Sequence, residues 1–412
     1  MTATATPATD SAGRPAYRDG NVLRWLTAYT ASLLGDSVYF VALGFAAAKV
    51  APPAQVGLVM AAGAVPRAVL MLGGGVVADR FGPRLVVIGS DTVRCALILA
   101  AAGTLALATP GLWLLVAVAL VFGAVDALFM PAVGALPPRI TTPGQLVRLQ
   151  GLRALTVRLG TVAGPPIGGL AMGLGGAAAA FTVAGVLFAT SVPLLLTTRI
   201  APLPPAARAP AFQELRDGLG YIRRHRLVGP LVLSGALCEL GLVGPLNVGM
   251  VLLADQRGWG AAGYGWIIAA FGAGAAASAL LLAVRGRVRR AGAVQIGTLF
   301  AGSAAVGFIG VAQVLAAAVG VAFLAGLICG VCGGLAAALI QTATDPAYLG
   351  RVTSVMSLTG FGLAPLAYPL FAAAVGAFGA PPVFLASAAL AALGGAFTAL
   401  LPPVRTAELP CG

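Results

Sequence analysis

The stretch Gly75-Val76-Val77-Ala78-Asp79-Arg80-Phe81-Gly82-Pro83-Arg84 separates two long apolar runs. Upstream, residues 54–78 carry a single charge, Arg67; downstream, residues 85–108 carry only Asp91 and Arg94. Each run is long enough to cross a hydrocarbon core of ~30 Å, which takes ~20 residues of helix. Between them the charges gather at Asp79, Arg80 and Arg84, and Gly82 supplies a turn that residues with a Cβ adopt at a cost. The stretch therefore reads as a short hydrophilic link between two membrane spans.

The same pattern runs outward through the chain. Of 412 residues, 59% are hydrophobic and 9% charged, against roughly 25% charged in soluble domains. A water-soluble fold of this size is excluded. The 57 Gly and 28 Pro show no collagen period, and membrane helices tolerate both residues. The net charge of +13 does not indicate nucleic acid. The basic residues are scattered through short loops, with no interleaved aromatic side chains to stack on bases. Five Cys is an odd number, and Cys329 and Cys332 form a lone C-x-x-C inside an apolar run. They read as small packing residues. With one His, His225, in a basic loop, the chain implies no metal, no cofactor and no catalytic constellation, so an integral-membrane enzyme is the weaker reading.

Twelve spans are expected: 22–48, 54–78, 85–108, 111–136, 146–172 and 176–198, then 228–253, 262–284, 291–311, 314–340, 352–377 and 381–402. The division near Gln313 rests on the weakest signal. Of the 25 Lys and Arg, all but Lys49, Arg257, Arg67 and Arg94 fall on one side of this zigzag. The positive-inside rule makes that side cytoplasmic and places both termini there. The expected organisation is a disordered tail (1–20), a six-helix half (21–199), a linker (200–226), a second six-helix half (227–402) and a tail (403–412). Within the linker, Phe212 to Tyr221 has the pattern of a surface amphipathic helix. The halves look related. Gly160-x-x-x-Gly164-Pro165 in span five is echoed by Gly360-x-x-x-Ala364-Pro365 in span eleven, Gly123 by Gly330, and Asp36 by Glu239 at similar depth. Six-span repeats of this kind mark transporters whose site lies between the halves.

With these residues in place, the opening stretch resembles the G-x-L-A-D-R-x-G-R-[KR] signature of the major facilitator superfamily, matched at Asp79, Arg80, Gly82 and Arg84, with Pro83 departing from it. The resemblance implies an all-α membrane fold of twelve helices in two pseudo-symmetric halves. It also implies that the loop (Gly75, Asp79, Arg80, Gly82 and Arg84, supported by a local Asp91–Arg94 pair) latches one conformation. Gly160, Gly164, Pro165, Gly168 and Gly169 match the G-x-x-x-G-P-x-x-G-G motif of the exporting branches. Leu34-Gly35-Asp36-Ser37, Met130-Pro131-Ala132 and Gly350-Arg351-Val352 fit the drug and siderophore exporters too.

An ionisable residue inside a membrane is a functional candidate by default. Asp36, Asp126 and Glu239 fall in spans one, four and seven, which line the cavity in the fold the resemblance implies, and Arg67 is the deep cation expected to pair with one of them. Asn247, Tyr39, Phe40 and Phe129 complete the expected lining. An acid there can exchange a proton or attract a cationic amphiphile. Proton-coupled relatives often carry an Arg in span four, where this chain has Ala119. The expectation is a monomeric exporter of small amphiphilic molecules (drugs, natural products or siderophores), driven by proton influx, in the cytoplasmic membrane. An importer or uniporter of a polar metabolite is the alternative.

Overall fold

The computed structural model describes residues 16–108, 111–201, 211–285, 288–346 and 348–409, except the side chains of residues 16, 72–76, 79, 143, 147, 211, 212 and 214. Of the predicted tails, residues 1–15 and 410–412 lie outside these residues, whereas Pro402–Arg405 forms a short helix with Val404 buried. Among the described residues no strand occurs, as expected where lipid leaves the backbone no partner but itself.

The first half comprises α1 (Gly20–Val50), α2 (Pro53–Phe81), α3 (Pro83–Leu107), α4 (Leu112–Gly134), and a run of helix, Leu146–Thr197, that contains α5 (146–174) and α6 (177–197). These last two join without a loop. Gly175 and Gly176 leave helical geometry, and Gly176 has φ 67°, ψ −159°, open in practice only to glycine. Gly82, at φ 84°, makes the tight turn between α2 and α3. The amphipathic helix α7 (Ala211–Arg224) follows. The second half comprises α8 (Val228–Gln256), α9 (Gly260–Arg285), α10 (Ala291–Val311), α11 (Leu315–Ala343), α12 (Leu349–Phe378) and α13 (Ala380–Ala399). Among the described residues, eleven continuous apolar helices, one of them bent into two, are long and apolar enough for twelve crossings. The weakly signalled division falls at residues 312–314, as read from sequence.

Two helices of the second half are interrupted near their middles. Pro245–Gly249 widens α8 into a π turn, and α12 breaks at Leu363 between Leu349–Gly362 and Ala364–Phe378. Such interruptions are tolerated where the backbone lines a cavity or is covered by protein.

Packing repeats between the halves. Helix α2 packs on α4 as α9 packs on α11; α3 on α6 as α10 on α13; α1 on α6 as α8 on α13. The halves meet through a second symmetric set, α2 against α12 and α9 against α5, with α1 touching α8. These contacts lie away from the termini. A Cβ on Gly57 would sit 2.5 Å from the Ala372 Cβ, and one on Gly44 would sit 3.1 Å from Val251. One apolar core there draws on both halves, including Leu43, Val59, Val251, Ile267 and Phe371. Toward the termini the core divides in two. Trp25, Val87, Phe129 and Leu195 belong to the first half, and Leu231, Leu339, Val352 and Val404 to the second. Among the described residues the apolar core is thus shared by both halves at the end remote from the termini and divided in two at the other.

Candidate functional site

Two cavities adjoin, one between the halves and one within the second half. The smaller, about 220 Å³, has Tyr39, Phe40, Arg67, Phe122 and Asp126 on the first-half side and Asn247, Phe361 and Tyr368 on the other. The larger, about 480 Å³, lies in the second half and takes in Glu239. They share Val243, Asn247 and Gly360, so they adjoin at the interruptions of α8 and α12.

The wall of the smaller cavity is a charge network centred on Arg94. Its Nη1 lies 3.5 Å from Asp36 and 3.4 Å from Asp91, and its Nη2 pairs with Asp126. Arg67 Nε approaches the second oxygen of Asp126 at 2.8 Å. The hydroxyls of Ser32 and Ser191 each donate to Asp91 Oδ2 at 2.5 Å. Four helices of one half therefore converge on one guanidinium, with α2 joining through Arg67. Arg94 is fully buried, and the rings of Phe129, Phe122 and Phe188 lie 4.2, 5.2 and 5.7 Å from its Cζ. An aromatic face suits a planar cation stripped of water. Arg67 is partly open to the cavity and stacks on Phe361 of the other half, 4.5 Å from the ring centroid.

This geometry extends two expectations. Arg67 is less buried than Arg94, and the expected Asp91–Arg94 pair forms, at 3.4 Å, as one part of a larger buried network. Arg94 sits eleven residues into α3, facing α1 and α4, and is the hub of the network. The i,i+3 spacing that proposes a helix-surface pair places the same residues on one face, and here that face is buried. Arg67 does have an acidic partner, Asp126 rather than Asp36. Arg94 also brings a guanidinium beside α4, where Ala119 gives none. Phe129 is 1% exposed and packs on Arg94 rather than facing the cavity. Tyr39 and Phe40 reach the smaller cavity, Asn247 both, and Glu239 only the larger, so the structure does not gather the three cavity acids into one cluster. Ser32, Ser191, Phe361 and Tyr368 had no signal in the sequence. A serine or an aromatic residue in an apolar run acquires meaning only from what it faces.

In the Asp79 loop, Arg84 donates to the Leu196 carbonyl at 2.8 Å, within its own half. Arg80 is exposed beside Phe81. Only the helical backbone of Gly75 and Asp79 is described, and the expected latch role of the Asp79 carboxylate falls outside the described residues. The glycine-rich segment of α5 has two faces. A Cβ on Gly160, Gly164 or Gly168 would meet Leu33, Ser37 or Val41 of α1, so one glycine stripe seats one helix turn by turn. Gly169 faces the other half, against the Ala261 backbone. In return, Gly265 of α9 lies on Pro165 and Pro166.

Comparison with known proteins agrees with this architecture. The model of the Major Facilitator Superfamily matches residues 25–360. The enterobactin exporters EntS of Shigella boydii and Escherichia coli are 29% identical over 333 residues, covering 78% of this chain and 76% of theirs. Among solved structures, a bacterial homolog of the human lysosomal transporter Spinster, inward-facing and occupied, superimposes with a TM-score of 0.76 at 14% identity, covering 93% of this chain and 96% of that one. The nucleoside transporter NupG does so at 0.73 and 15%, covering 93% and 100%. At such identities the structural likeness concerns the fold alone.

Proposed function

The chain belongs to the major facilitator superfamily, and from that premise we propose that it exports small amphiphilic molecules by alternating access, driven by proton influx. The observation that carries the coupling is charge balance in a buried place. Among the described residues, the cations paired with Asp36, Asp91 and Asp126 are Arg94 and Arg67, so the network holds one carboxylate more than it has guanidiniums. A buried charge without a partner costs several kcal/mol, and a transported proton resting on the excess carboxylate removes that cost. Asp36 is the candidate. It is 16% open, its only ionic contact among the described residues is the long one to Arg94, and its Oδ1 has no hydrogen-bond donor there.

The direction of transport is inferred from the glycine motif of α5 and from the likeness to exporters of enterobactin. With the Arg-rich side cytoplasmic, the end where the core divides faces the cytoplasm, ready to load cargo. Arg67, held by Asp126 and stacked on Phe361, links the network to the seam between the halves. Protonation and cargo therefore act on one structural element, as coupling between two states requires.

The test is substrate-dependent proton movement in inverted membrane vesicles, comparing wild type with Asp36→Asn and Asp126→Asn. Loss of coupling in Asp36→Asn with cargo binding retained supports the assignment. Unaltered coupling in both variants removes the network from it, and transport indifferent to collapse of the pH gradient and membrane potential refutes secondary active transport.

A further inference from the structure

The larger cavity has a chemistry unlike that of its neighbour. No Lys, Arg or His lines it, and Glu239 is its one charged residue. Glu239 is exposed toward the space and, among the described residues, has no salt-bridge partner. The remaining wall is mostly apolar, with Leu231, Leu242, Phe271 and Met356 among its members. A carboxylate facing such a wall without a counter-charge is unfavourable at membrane depth.

The other polar groups around the cavity point the same way. Thr298 and Thr359 spend their hydroxyl protons on carbonyls of their own helices, and Asn247 spends an amide proton on the Val243 carbonyl. They can offer the cavity oxygen lone pairs. Gln295 and Ser303 are each 2% exposed, line the cavity, and leave Gln295 Oε1 and Ser303 Oγ without a partner. Unsatisfied buried polar atoms are rare in folded proteins and mark places where something else completes the bonding. The cavity therefore presents a carboxylate and several acceptors, with no cation. The two orphaned groups are eight residues apart on α10, which on a helix is about 12 Å. That is the length of an extended molecule of moderate size.

We infer that this cavity is a recognition site for an organic cation, with Glu239 pairing to a protonated amine and Gln295 and Ser303 accepting hydrogen bonds along its length. The inference rests on the transport reading for its purpose, since the site adjoins the cavity between the halves, but it stands or falls on binding alone. It narrows the cargo from amphiphiles in general to those bearing a basic nitrogen. A primary or secondary ammonium fits better than a quaternary one, because the acceptors reward N–H donors.

The experiment uses the purified full-length protein in lipid nanodiscs and radiolabelled 4-phenylbutylammonium in a scintillation proximity assay. Competitors are its trimethylammonium analogue, 4-phenylbutan-1-ol and 4-phenylbutyrate. Saturable binding is expected, with the trimethyl analogue and the alcohol weaker by about tenfold or more, as loss of charge-assisted hydrogen bonds implies, and with phenylbutyrate not competing. Glu239→Gln, which keeps the side-chain shape, should weaken the ammonium by about tenfold or more, and Glu239→Asp should recover part of it. No saturable binding at millimolar probe, equal binding by Glu239→Gln, or stronger competition by phenylbutyrate each overturns the inference. A parallel proteoliposome assay separates the two readings. Glu239-dependent binding without any transport leaves the site standing and refutes the exporter. Transport of other cargo with no Glu239-dependent binding does the reverse.

Discussion

Replacing Gly265 with Ala should open the end where the halves share one core. The Cβ it adds would lie 2.8 Å from the Pro165 carbonyl oxygen and 2.9 Å from the Pro166 Cα, both backbone atoms of α5 in the other half. No side chain can rotate away, and two consecutive prolines hold that backbone. Bringing the contact to an ordinary ~3.5 Å requires a displacement of roughly 0.7 Å between α9 and α5. Overpacking of this kind costs about 1–3 kcal/mol. The cost falls only on the state in which the halves touch here, so the population ratio should shift by about 5- to 150-fold toward the oppositely open state. Spin labels at Lys49 and Gln313, in different halves near that end, report the change by double electron–electron resonance in an otherwise cysteine-free background. The variant should gain population at longer distances. Gly173→Ala is the control, because its Cβ meets nothing within 4 Å. A folded Gly265→Ala variant with the wild-type distance distribution would refute the claim that this contact holds the end shut.

Three further outcomes follow from named contacts. Arg94→Met leaves Asp36 and Asp91 without a cation, and should lower stability by about 3–5 kcal/mol, read as a fall in thermal midpoint of the detergent-purified protein; adding Asp91→Asn should recover part of the loss. Ser191→Ala removes a hydrogen bond to buried Asp91 and should cost about 1–3 kcal/mol, with cargo binding unchanged. Gly164→Val places a branched side chain where Ser37 of α1 already sits; unfolding measurements should show a loss of about 1–3 kcal/mol or more, and a neutral result would mean that α1 is not seated on the α5 glycines.

Hydropathy made the spans legible because each apolar run must satisfy its own backbone inside lipid. It also placed the division between α5 and α6 between residues 172 and 176, and the chain turns there at Gly175 and Gly176 without any polar loop. The buried acids were legible as candidates because a charge in an apolar run is costly. Their partners were not. Asp91, Ser32 and Ser191 lie on three helices, and only the rotation of α1, α3 and α6 about their axes brings them together. The same holds for the two faces of the α5 motif. The Gly160–Gly164–Gly168 stripe follows from helical periodicity, whereas the meeting of Gly265 with Pro165 depends on how one half sits on the other.

The electrostatics of the halves differ although their helices repeat. In the first half, three carboxylates share two guanidiniums, and each side of the imbalance is held by hydrogen bonds and aromatic faces. In the second half one carboxylate faces an apolar space with no cation beside it. Both deficits are negative, and the cavities that see them adjoin at Val243, Asn247 and Gly360. An anionic occupant would meet an unfavourable field from both sides, relieved only through Arg67, which Asp126 already engages. A cationic occupant meets a favourable one, and so does a proton. Under the proposed function, cargo and proton would then compete for the same negative potential while occupying different acids, Glu239 and Asp36. Exchange between them would then need no shared site: like charges at Glu239 and in the Asp36 network would oppose each other through the field alone, and reciprocity requires each to weaken the other's binding equally.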